Sequence, residues 1–131
     1  ESLDGMIANM DIVSINTPLT PSTANILNAE RLKRMQTNSV LINTSRGGLI
    51  DEDALIQNLK KGRITAAALD VFDGEPSVNP KFMELENVVL LPHLGSATLE
   101  GRIAMGEKVI LNAKRFIDGH PPPDKLILKL P

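Results

Sequence analysis

Four short runs of aliphatic and β-branched residues, each closed by polar, glycine or proline residues, constrain this chain more than any other feature. They are Asp11–Ile15 (DIVSI), Ser39–Ile42 (SVLI), Ile64–Leu69 (ITAAAL) and Val88–Leu91 (VVLL). Each has the length of a strand and lies well short of a typical helix. Helical patterns separate them. Asn28 can cap a helix over Ala29–Met35, with Leu32 and Met35 on one side. Asp51-Glu52-Asp53 place negative charge where the first N–H groups of a helix are unpaired; Lys60 and Lys61 fall on its last turn, and Gly62 is available for a left-handed cap. A last helix is expected from near Thr98 to Asp118, with Ile103, Gly106, Ile110, Ala113 and Ile117 on one face and Gly119 after it. Pro121-Pro122-Pro123 then predicts an extended exit. Near-continuous apolar strands separated by helices predict an α/β fold, with a parallel sheet covered on both faces.

Composition narrows the function classes. With 131 residues, 42% of them hydrophobic, the chain can build one core and is too short for two ordinary domains. Fourteen Lys+Arg against sixteen Asp+Glu leave a net charge of −2, which implies no nucleic-acid or anionic-membrane partner. No run of 18 apolar residues exists, and the start from Glu1 has no basic-then-apolar leader pattern. The absence of cysteine excludes disulfides, thiolate metal sites and cysteine nucleophiles, and fits a reducing, cytoplasmic compartment. Three Phe with no Tyr or Trp leave an aliphatic core and almost no stacking platforms for single-stranded nucleic acid.

Open parallel sheets bind ligands outside the carboxyl ends of their strands, so the residues after each run mark the candidate site. The first run is followed by Asn16-Thr17-Pro18 and the second by Thr44-Ser45-Arg46-Gly47-Gly48. The third is followed by Asp70, with Glu75 further on, and the fourth by His93 and then Gly95-Ser96. Each also has a plain structural use. Arg46 in isolation reads equally as a surface arginine, but Gly47 and Gly48 beside it let backbone approach a ligand closely. Asp70 alone reads first as a turn cap, and Glu75 as a solvated loop residue. A lone histidine is more often structural than catalytic. His93, however, leaves its strand between Pro92 and a Gly-Ser turn that fixes its direction, whereas His120 reads as a tail residue with no role.

If Glu75 reaches His93, the carboxylate would hold the imidazole tautomer and favour the protonated ring, making a general acid/base. Arg46, planar and always charged, can grip a carboxylate or polarise a carbonyl oxygen. An arginine, a histidine and a supporting carboxylate, with no metal-ligand cluster and no nucleophile, suit a reduction whose hydride comes from a nicotinamide cofactor. None of the nine glycines forms a Gly-x-Gly-x-x-Gly after a strand.

The segments DIVSINTP (Asp11–Pro18), NTSRGGLID (Asn43–Asp51), ALDVFDGEP (Ala68–Pro76) and PHLGSAT (Pro92–Thr98) resemble, in order and spacing, the D-isomer-specific 2-hydroxyacid dehydrogenases. The likeness is strongest to their glyoxylate/hydroxypyruvate (glycerate) reductase branch and runs from Leu3 to about Gly119. The resemblance implies that Arg46 binds the substrate's carboxylate and carbonyl, that His93 is the acid/base, and that Glu75 pairs with it. It implies NAD or NADP as cofactor, with Asp70 at the nicotinamide carboxamide. Thr17, Pro18, Thr44, Ser45, Gly95 and Ser96, together with Arg46 and His93, would line the nicotinamide pocket. The implied substrate is a small 2-oxo acid, reduced to the D-2-hydroxy acid by a homodimer. The implied fold is the second half of a Rossmann-type doubly wound sheet over residues 1–97. Residues 98–131 would be a connecting helix and the C-terminal segment of a substrate-binding domain, so that the chain is the C-terminal portion of a longer subunit. The NAD(H)-sensing corepressors of the same superfamily keep the same three side chains, and a binding protein of that kind is the alternative from another functional class.

Overall fold

The structure, a computed structural model, describes residues 2–125. The chain separates into two compact units, Glu1–His93 and Leu94–Pro131. The first unit is built on a four-stranded, wholly parallel sheet in the order β1 (Ile12–Ile15), β2 (Ser39–Asn43), β3 (Ile64–Leu69), β4 (Val88–Leu90). Its helices are α1 (Leu3–Asn9), α2 (Ala29–Arg34) and α3 (Glu52–Lys60). Val13, Leu41, Ala67 and Val88 stand in register across the four strands, as do Ser14, Ile42, Ala68 and Val89.

Local chemistry explains where the helices begin. Asn28 accepts a hydrogen bond from Arg31 N–H at 3.0 Å, and Asp51 accepts one from Ala54 N–H at 3.0 Å, each satisfying an N–H that the helix leaves unpaired. After α3, Gly62 takes φ +63 in the left-handed region, which glycine adopts without steric cost. Met35 is the cap of α2 and not part of it, and β2 runs one residue further than its apolar run, to the polar Asn43. Helix α1 has no counterpart in the sequence patterns. It is seven residues long and buries only Ile7, too little for a periodic signal. Ser2 caps it, and Asp4 in its first turn pairs with Arg31 of α2 at 2.7 Å.

One face of the sheet carries the core. Val13, Ile15, Leu41, Ala67 and Leu69 pack with Ile7 of α1, Leu32 of α2 and Leu55, Ile56 and Leu59 of α3. On the opposite face Ile12 is 65% exposed and Val89 58%. The three helices of this unit all join one core cluster.

The second unit contains α4 (Leu99–Ile117), capped by Thr98, whose hydroxyl accepts from Gly101 N–H at 3.0 Å. None of its residues is buried. The chain after it does not simply extend as the three prolines predict. A turn brings Asp124 back to Lys108 at 2.7 Å and to the Asn112 side chain at 2.8 Å, since a proline fixes φ at a value that turns as well as extended chains accept. Among the described residues, no helix is long and apolar enough to cross a membrane.

Candidate functional site

Because every strand runs the same way, all four C-terminal ends open on one edge of the sheet. β1 delivers Asn16, Thr17 and Pro18 there, β2 delivers Thr44, Ser45 and Arg46, and β3 delivers Asp70 and then Glu75. β4 leads to His93.

The Arg46 turn is built by a buried asparagine. Asn43 occupies the inward phase of β2 and is 1% exposed. Its carbonyl oxygen accepts from Ser45 N–H at 3.0 Å, while its amide donates to Arg46 O at 2.9 Å. The Ser45 hydroxyl donates to Ile15 O at 2.8 Å, tying the end of β2 to the end of β1. The Arg46 guanidinium lies exposed above this scaffold, with Nη1 on Ser45 O at 2.6 Å. Asn16, Thr17, Pro18, Leu19, Ser45 and Arg46 line a cleft of about 550 Å³. Its Pro18 wall is fixed by the Thr23 hydroxyl, which donates to Pro18 O at 2.7 Å.

Immediately after Arg46 the chain meets the turn that carries Glu75. A Cβ on Gly47 would lie 1.9 Å from the Phe72 carbonyl carbon and 2.1 Å from Asp73 N, so only glycine allows the two backbones to touch. Glu75 uses both carboxylate oxygens: Oε1 accepts from Phe72 N–H at 2.9 Å, and Oε2 lies 2.7 Å from His93 Nδ1. The His93 hydrogen bond, then the Phe72 N–H and the nearby charges of His93 and Arg46, hold the Glu75 carboxyl below the usual glutamate range. Ionised, that carboxylate can only accept, so Nδ1 carries the proton and Nε2 is left to face a ligand. His93 itself has φ +55, a left-handed backbone that costs a non-glycine residue energy and is concentrated at functional positions.

The structure thus brings Thr17, Pro18, Ser45 and Arg46 onto one cleft and pairs Glu75 with His93. Thr44 is exposed and does not border that cleft. Asp70 is buried, and its N–H donates to Asn43 O at 3.0 Å. Gly95 and Ser96 belong to the second unit. Sequence reasoning passed over Asn43; the available signal was a polar residue in the same phase as Leu41 on a strand with a buried face. A larger opening is bordered by Asp51, Glu52, Asp53 and Asp73, of which Asp53 is paired with Lys81 at 2.6 Å.

Residues 1–95 match the family model described as D-isomer specific 2-hydroxyacid dehydrogenase, NAD binding domain. The chain belongs to this family. Among curated relatives it is 45% identical over 119 residues to a glyoxylate reductase of Thermococcus litoralis, covering 91% of this chain and 36% of the relative. It is 44% identical over 116 residues to a hydroxyphenylpyruvate reductase of Plectranthus scutellarioides, covering 88% of this chain and 37% of that protein. Among solved structures it superposes with a TM-score of 0.84 and 40% identity on an NADPH-dependent glyoxylate/hydroxypyruvate reductase of Sinorhizobium meliloti, crystallised with NADP and malonate. That match covers 88% of this chain and 36% of the other. The chain therefore spans less than two-fifths of the length of these relatives.

Proposed function

We propose that this chain carries the reacting side chains of an oxidoreductase that uses NADH or NADPH to reduce a small 2-oxo acid, glyoxylate or hydroxypyruvate, to the D-2-hydroxy acid. The observation that carries this is the Glu75–His93 pair on the same sheet edge as the Arg46 cleft. Family membership and the names of the relatives support it. A glyoxylate reductase and a hydroxyphenylpyruvate reductase match at nearly equal identity, which favours the 2-oxo acid class over any single member of it.

Beside Arg46 the cleft is lined by the uncharged Asn16, Thr17, Pro18, Leu19 and Ser45, which suits a carboxamide-bearing ring; the Thr17 hydroxyl can donate or accept, and the Ser45 hydroxyl, already donating to Ile15 O, can accept. No glycine-rich phosphate loop occurs in the sequence, so only the nicotinamide end of the cofactor is assigned to these residues. Thr17, Pro18, Thr44, Ser45, Asp70, Gly95 and Ser96 are its proposed neighbours, within the division into residues 1–97 and 98–131. When bound, the reduced nicotinamide supplies the hydride. Arg46 binds the substrate carboxylate and polarises the 2-oxo group. His93 donates a proton from Nε2 to the carbonyl oxygen as negative charge develops there, and Glu75 holds the ring in register and stabilises it while charged.

The test uses the full-length protein with each 2-oxo acid, following loss of reduced-nicotinamide absorbance. Arg46→Ala and His93→Ala are expected to abolish turnover with cofactor binding largely kept. Near-normal turnover of His93→Ala across about pH 6–8 would remove His93 from the acid/base role.

A further inference from the structure

Two successive backbone N–H groups just after β3 are held by two different glutamates. Phe72 N–H donates to Glu75 Oε1 at 2.9 Å, and Asp73 N–H donates to Glu52 Oε1 at 2.7 Å. The peptide joining Phe72 and Asp73 is also the one against which Gly47 packs without room for a Cβ. Glu52 opens α3, but it is not needed to cap that helix, because Asp51 already accepts from Ala54 N–H. Its carboxylate turns instead to the neighbouring turn, at a cost. Burial, with Asp73 and Asp53 nearby, pushes the Glu52 carboxyl above the usual range, while the Asp73 N–H acts the other way.

Besides the bonds of Glu75 to Phe72 N–H and His93 and the Gly47 contact, the turn is closed by Ser77 N–H donating to Gly74 O at 3.3 Å, and the Glu52 bond is the one that reaches it from α3. Asp73, Gly74 and Glu75 are exposed, so packing does not hold them, and Gly74 sits at φ +78 between the clamped Asp73 and the working Glu75. We propose that Glu52 is a positioning residue. It clamps the Asp73 N–H against the Gly47 backbone, and so holds Glu75 on His93 at a set separation from Arg46. This rests on the proposed function only in assigning the pair its chemistry; the clamp itself is a matter of geometry.

Three variants of the full-length protein separate reach from charge. Glu52→Gln keeps a carbonyl oxygen at the same reach and removes the charge. Glu52→Asp keeps a negative charge in the first turn of α3 and falls one methylene short. Glu52→Ala removes both. The Ala and Asp variants are expected to lose roughly 10- to 100-fold in kcat with little change in KM for the reduced cofactor, the scale set by small misplacements of a catalytic group; Gln stays near wild type. A second readout needs no turnover. The ring-nitrogen NMR shifts of His93 report which nitrogen carries the proton. They should show protonated Nδ1 in wild type and Gln, and a tautomer mixture in Asp and Ala.

If wild type proves inactive on 2-oxo acids while the ring signals still divide the variants in this way, the proposed function falls and the clamp stands. Ring signals alike in all four proteins overturn the clamp. So does the reverse pattern, with Asp like wild type and Gln like Ala, because the charge at the helix start would then be what matters. Should Glu52→Ala fail to fold, the Gln and Asp pair still decides.

Discussion

His93 Nδ1 lies 2.7 Å from Glu75 Oε2, and the ring reaches that carboxylate from a left-handed backbone at φ +55. A residue held in a costly conformation and tied by a charge-assisted hydrogen bond is preorganised, because the surrounding fold and not the substrate has set its direction. Arg46 approaches from a different strand end, fixed by Asn43, and the backbone contact at Gly47 links the two sides.

The Glu75 carboxylate makes stability depend on pH in a definite sense. Its pKa is lower in the folded protein than in the unfolded chain, chiefly through the His93 hydrogen bond, so the folded state takes up that proton less readily. The stabilisation is in full force above the ordinary glutamate range and is lost as pH falls through it toward the lower folded value. Urea denaturation of the full-length protein at a series of acidic pH values should therefore show a shallower decline for Glu75→Gln than for wild type. Parallel declines would mean that the pair contributes nothing to folding.

Gly47 and Gly48 should respond to alanine in two different ways. At Gly47 the new methyl meets the Phe72–Asp73 backbone at about 2 Å, so one chain segment has to move; a loss of about 3 kcal/mol or more is expected, with turnover falling in parallel. At Gly48 the nearest atom is the movable Leu19 Cδ2 at 3.2 Å, and the cost should stay below about 1 kcal/mol. Thermal melts of the two variants give the ranking.

Two buried polar residues of β2 make a second contrast. Asn43→Ala orphans the Ser45 N–H and leaves the Arg46 carbonyl only its 3.3 Å bond from Leu49 N–H, a loss of about 1–3 kcal/mol, and frees the arginine turn, so kcat should fall as well. Ser39 is fully buried, and its hydroxyl has no hydrogen-bond partner among the described residues. Ser39→Ala removes a desolvated group with nothing to lose, and should be neutral or stabilising by up to about 1 kcal/mol with turnover unchanged. Chemical denaturation and steady-state rates on both variants check the pair, and a destabilised Ser39→Ala would contradict the unpartnered hydroxyl.

Much of the fold was legible without coordinates, because it is written in local spacing. The four apolar runs, the caps at Asn28 and Asp51 and the left-handed Gly62 act over three or four residues, so their signals survive in a string of letters. The parallel order then followed from the alternation, and with it the gathering of Arg46, Glu75 and His93 on one edge. Other features depend on contacts between distant positions. Glu52 and Asp73 stand 21 residues apart, and no pattern in either segment announces their hydrogen bond. Gly47 reads as a glycine suited to a ligand; the folded chain shows it also accommodating the Phe72–Asp73 backbone. Which helices cover a strand face was hidden for the same reason: apolar residues reveal that a face is suited to burial, and only the packed arrangement puts α1, α2 and α3 together on the face of Val13 and Leu41.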